Sequence, residues 1–135
     1  MPVSDSTQSP IDRAKHFVRN HQPLLAVEVL EPWLQEYPED ARAWSALAAA
    51  RFELGSFSQA RVAAAKAADL RPESARNWCN LGMILRKTGE LYEAERALHR
   101  ALSVDSSYDR ARTELRKVHE LRTGARSPAA DDGFI

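Results

Sequence analysis

One cysteine, Cys79, occurs in 135 residues. That excludes an internal disulfide and suits a reducing compartment, so a cytoplasmic protein is expected. Glycine is also scarce, at five residues, and Gly55, Gly82 and Gly89 are spread through the chain instead of forming a loop that could cradle phosphate or a strained elbow for a nucleophile. No stretch approaches the roughly 18 apolar residues that a membrane span needs. The opening Met1-Pro2-Val3-Ser4-Asp5 has neither a basic start nor an apolar run, so neither secretion nor membrane insertion is expected. Neither sign of charge is in excess. Lys plus Arg number 19 and Asp plus Glu 19, which implies no general attraction to nucleic acid or to an anionic membrane. Aromatic residues make up 7%, too few for a base-stacking surface, and the late Arg110, Arg112, Arg116 and Arg122 are mixed with Asp109, Glu114 and Glu120. His16, His21, His99 and His119 show no paired ligand spacing, so no metal or other cofactor is expected.

What the chain does have is a period. Trp44 and Trp78 stand 34 residues apart, and the same interval relates Leu47 to Leu81, Gly55 to Gly89, Ala60 to Ala94 and Ala67 to Ala101. A unit of this length cannot close a core alone. Such units stack, and a stacked helical array leaves a concave face open to another chain, which points to binding instead of catalysis.

The apolar spacing is helical throughout, with no alternation of the kind a strand requires. Residues 1–8 are polar and aperiodic and read as a disordered leader. Ser9-Pro10-Ile11-Asp12 has the form of a capping box and opens a helix over about 10–20. A second helix runs from Pro23 to near Tyr37-Pro38, with a kink or restart expected at Glu31 because Pro32 removes an internal hydrogen bond. Asp40 caps a helix over 41–54, and 57–70 returns along it; Ser74 caps the next over 75–88, and 91–104 returns. Ser106 and Asp109 read as a further capping box for a last helix ending near Arg122. Residues 123–135 lose the pattern and read as a disordered tail whose end, Asp131 to Ile135, is acidic and then apolar. Heavy use of Ala and Arg points to a GC-rich bacterial genome.

This pattern resembles the tetratricopeptide repeat, a helix-turn-helix unit of 34 residues. Trp44, Leu47, Ala48, Gly55, Ala60, Ala64, Ala67 and Pro72 fall at the family's signature places, and Trp78, Leu81, Gly82, Gly89, Ala94, Leu98, Ala101 and Ser106 fill them one unit later. One unit earlier, Ala14, Ala26, Leu30 and Pro38 fit, while Pro10 stands for Trp and His21 for the turn glycine. Ala111, Leu115 and His119 match the lone helix that closes such arrays. The resemblance implies an all-α, right-handed α-solenoid: three hairpins at about 9–38, 41–74 and 75–108, then a closing helix over 109–122.

It also implies which residues line the groove, because the first helix of each unit faces inward. In that register the groove-facing places include Lys15 and Arg19; Arg42, Ser45 and Phe52; Arg76, Cys79, Met83, Arg86 and Lys87; and Arg110 and Lys117 on the closing helix. Asn80 adds an amide suited to a ligand's backbone. Of twenty such places eight are basic and two, Glu53 and Glu120, are acidic; the chain average would put about three basic residues there. A peptide-binding adaptor with a basic groove is therefore expected, its partner an acidic peptide or helix held by contact with Phe52 and Met83. A specialised branch of the family grips a peptide's terminal carboxylate. Arg76 and Asn80 match that clamp and Ile11, Lys15 and Ala46 do not, so this mode is not expected. Two other readings stand: a homo-oligomeric module joined through its tail or end helices, and a small thiol enzyme in which Arg76 activates Cys79.

Overall fold

A computed structural model of the protein describes residues 8–124. The expectations for the leader and the tail fall almost wholly on residues outside that range. Seven α-helices are present and no strands among the described residues: α1 Pro10–Arg19, α2 Pro23–Glu36, α3 Ala41–Glu53, α4 Phe57–Leu70, α5 Ala75–Lys87, α6 Leu91–Val104 and α7 Asp109–Thr123. Each helix packs on the next in sequence, giving three antiparallel hairpins and a seventh helix laid against α6. Among the described residues no helix is long and apolar enough to cross a membrane.

Local chemistry repeats with the sequence. Gln22, Ser56 and Glu90 donate their amides to the carbonyls of Phe17, Arg51 and Leu85 at 2.7, 2.9 and 2.9 Å, closing the first helix of every hairpin with the same six-residue bond. The residue before each donor must be left-handed. Gly55 and Gly89 take φ of 79° and 84°, and His21 takes 59° in the same place, so the first hairpin keeps the turn without its glycine. Ser9 accepts the Asp12 amide at 3.1 Å, Asp40 those of Arg42 and Ala43 at 3.1 and 3.3 Å, and Ser74 that of Asn77 at 3.2 Å, as the caps predicted.

Trp44 and Trp78 seal equivalent loops. Trp44 donates its indole N–H to the Pro38 carbonyl at 2.7 Å and Trp78 donates to the Pro72 carbonyl at 2.9 Å. Lys66 lies over the first ring at 5.8 Å and Arg100 over the second at 4.7 Å. Donors, acceptors and cations are all displaced by the same 34 residues.

The core is built largely from alanine. Ala43, Ala50, Ala60, Ala68, Ala94 and Ala101 are fully buried, and among the described residues only Leu30, Leu98, Val118 and Cys79 are larger side chains sealed to the same degree. Small residues bring helix axes together and leave any recess unfilled.

Two local expectations are corrected. α2 continues through Pro32 as one helix with no restart. Glu28, whose carbonyl loses its partner, and Pro32 itself are both exposed, so the missing bond falls on the solvent side of the helix. Nor does Ser106 cap α7. The N-cap is Tyr108, and Asp105 instead accepts the Ser107 amide at 3.0 Å and hydroxyl at 2.7 Å, closing a turn before the helix starts.

Candidate functional site

The first helices of the hairpins are unequally spaced. α1 packs on α3 and α5 packs on α7, whereas α3 and α5 barely touch. The gap between them is a groove of about 510 Å³. Its floor is small and apolar, made by Ala48 and Ala49 of α3, Ala64 and Ala67 of α4, and Ile84 of α5; Phe52 and Met83 stand on either side. Phe52 is fixed by an edge contact with Phe57, ring centroids 5.2 Å apart.

Few polar groups enter this space, and they are placed. Asn77 is tied down by donating its side-chain amide to the Ala67 carbonyl at 3.2 Å. Asn80 is half-buried in the lining, and its side-chain amide has no hydrogen-bond partner among the described residues. Arg110 reaches in from α7, its guanidinium 3.1 Å from the Met83 sulfur and unpaired with any carboxylate among the described residues. Glu53 accompanies it at the wall, bound to His21 at 2.8 Å.

Ser45 and Asn77 also line a second recess of about 160 Å³, so the two spaces share one surface. This part is basic, lined by Lys15, Arg42, Arg71 and Arg76. Arg42 and Arg71 have loose carboxylate partners, Asp12 at 3.7 Å and Glu73 at 3.9 Å; Lys15 and Arg76 have none among the described residues. The groove thus has an apolar half and a cationic half.

The structure brings Ser45, Phe52, Asn80, Met83 and Arg110 to one cavity and Lys15, Arg42 and Arg76 to its extension. Other expected members fall elsewhere. Cys79 is completely buried, not in the groove. Burial pushes its thiol up from the ordinary value, Arg110 opposes this and Glu114 adds to it. The cation beside it is therefore Arg110 and not Arg76, and the net upward direction removes the basis for a thiol-enzyme reading. Arg86 and Lys117 line neither recess, and both are held by Glu114, at 2.9 and 3.2 Å, whose side chain is 8% exposed. Arg19 and Lys87 are exposed but line neither recess.

Asn77, Arg71 and the floor residues Ala48, Ala64 and Ala67 were not anticipated. A signal for the floor exists in the period: Ala48 and Ala64 become Gly82 and Leu98 one unit later, so only the second hairpin carries two small residues there. Away from the groove, Glu95 and His99 on α6 meet His119 on α7, a convergence that histidine spacing did not suggest.

Residues 75–108 match the family model described as Tetratricopeptide repeat. No curated protein matches the sequence significantly. Solved structures share the fold. The first TPR of Spaghetti (RPAP3), bound to the HSP90 peptide SRMEEVD, superimposes with a TM-score of 0.80 at 18% identity, over 84% of this chain and 90% of that one. The second TPR domain of human RPAP3, in complex with the HSP70 peptide SGPTIEEVD, gives 0.78 at 21% identity over 82% and 92%. The Yersinia enterocolitica type III secretion translocator chaperone SycD gives 0.79 at 20% identity over 89% and 88%. Residues 75–108 are thus matched in sequence as one tetratricopeptide repeat, and the described helical array has the fold of these solved structures.

Proposed function

We propose that this protein is a non-enzymatic adaptor that holds a segment of a partner protein in the groove between α3 and α5. The observation that carries the reading is the division of that groove. An apolar floor flanked by Phe52 and Met83 adjoins Lys15, Arg42 and Arg76, with Arg110 at the wall. A segment that suits both halves presents an apolar side chain to the alanine floor and carboxylates to the cationic part. Asn80 supplies a donor and an acceptor for the segment's backbone. Peptides held by two structural neighbours, SRMEEVD and SGPTIEEVD, also set a Met or Ile beside glutamates.

Selection from a displayed peptide library tests this directly. The enriched peptides are expected to carry an apolar residue next to Asp or Glu and to bind more weakly as salt rises. Reversing charge at Arg42, Arg76 and Arg110 together is expected to weaken them by at least about tenfold. Arg86 is left alone because Glu114 already holds it. Equal affinity of the triple variant, at unchanged salt sensitivity, would overturn the groove assignment.

A further inference from the structure

We propose that Glu95, His99 and His119 form a binding site for a divalent first-row cation of the zinc type, clipping α7 to α6. Glu95 and His99 are four residues apart on α6 and therefore share one face of the helix. α7 lies against that helix and delivers His119. One ligand atom from each of the three lies within 4.8 Å of the other two. The Glu95 Oε2 atom is 2.6 Å from His119 Nε2.

The surroundings suit a ligand set. Glu95 is held on its other oxygen, Oε1, by Arg122, so the carboxylate is oriented and one oxygen remains directed at the imidazole. Such an outer partner is what fixes a metal-bound carboxylate. Buried Leu98 and Val118, beside His99 and His119 in sequence, anchor the two backbones. Both histidines are exposed, which gives a cation a path in. Around zinc, with bonds of about 2.0–2.2 Å, neighbouring ligand atoms sit roughly 3.4 Å apart. Rotation of two exposed imidazoles covers the difference. Two imidazole nitrogens and one carboxylate oxygen leave a fourth position for water.

The consequence is a stitch between the last hairpin and the helix that covers it. Titration of the untagged full chain with Co²⁺, then Zn²⁺, tests the site. One equivalent of Co²⁺ is expected to bring up visible d–d bands that Zn²⁺ removes, and saturating Zn²⁺ to raise Tm by at least about 4 °C. The His99 side chain has no hydrogen bond among the described residues, so His99→Ala leaves the Glu95–His119–Arg122 contacts in place. That variant is expected to keep its far-UV spectrum and lose the bands, and Arg122→Gln to weaken binding by about tenfold or more. No bands and no Tm shift in the wild type, or bands that persist in both His99→Ala and His119→Ala, would overturn the proposal.

Discussion

The α3–α4 and α5–α6 hairpins share turns, caps and indole seals yet solve their packing differently. In α3–α4, Ala48 and Ala64 occupy places that α5–α6 fills with Gly82 and Leu98. A methyl group at Gly82 would stand 2.6 Å from Leu98 Cγ, so the second pairing works only because one partner has no side chain. The alanine pair leaves a recess and the glycine–leucine pair fills one. The same contrast recurs at the next face. Ser45 opens on the groove while its counterpart Cys79 is sealed beneath α7. Repeated turns and caps thus frame an open recess in one unit and a closed seam in the next, and side-chain volume decides which.

Five substitutions sharpen that contrast, in falling order of effect. Leu98→Ala is expected to cost about 2–5 kcal/mol, because a fully buried side chain leaves a void. Gly82→Ala alone is expected to cost about 1–3 kcal/mol through overpacking. Together they recreate the alanine pair of the other hairpin, and chemical denaturation is expected to show coupling of about 0.5–3 kcal/mol. Simple additivity would break the account of how the two units are related.

Smaller effects come from the seals. Trp44→Phe and Trp78→Phe each remove one hydrogen bond, expected to be worth about 0.5–1.5 kcal/mol. The second change is expected to be the larger, since Arg100 lies closer to its ring than Lys66 does to the other. Equal or reversed losses in thermal denaturation would show that the cation contributes nothing. The least effect on stability, within about 0.5 kcal/mol, belongs to Ser45→Cys. Its thiol is expected to alkylate readily at neutral pH while Cys79, buried with its ionisation pushed up, reacts only on unfolding. Comparable labelling rates in the folded protein would mean that α7 does not close its side of the array.

Much of this architecture was legible because it is periodic and local. Asp40 and Ser74 announce helix starts, Gly55 and Gly89 announce left-handed turns, and the interval between Trp44 and Trp78 sets the register that puts Phe52 and Met83 in the groove. What escaped was long-range. Cys79 shares its register position with Ser45, and only the close approach of α7 buries it. Arg86 counts as a free cation until the fold delivers Glu114 from 28 residues away. The contact of α7 with α6 assembles Glu95, His99 and His119, and the 24 residues between Glu95 and His119 have no sequence signature.

Because α3 and α5 barely meet, the halves of the array are joined there chiefly through α4, which packs on both. Such a junction is a fulcrum. On the adaptor reading proposed above, a guest wedged between Phe52 and Met83 is expected to set the angle at which the two halves lean, so that curvature would follow the bulk of a single residue.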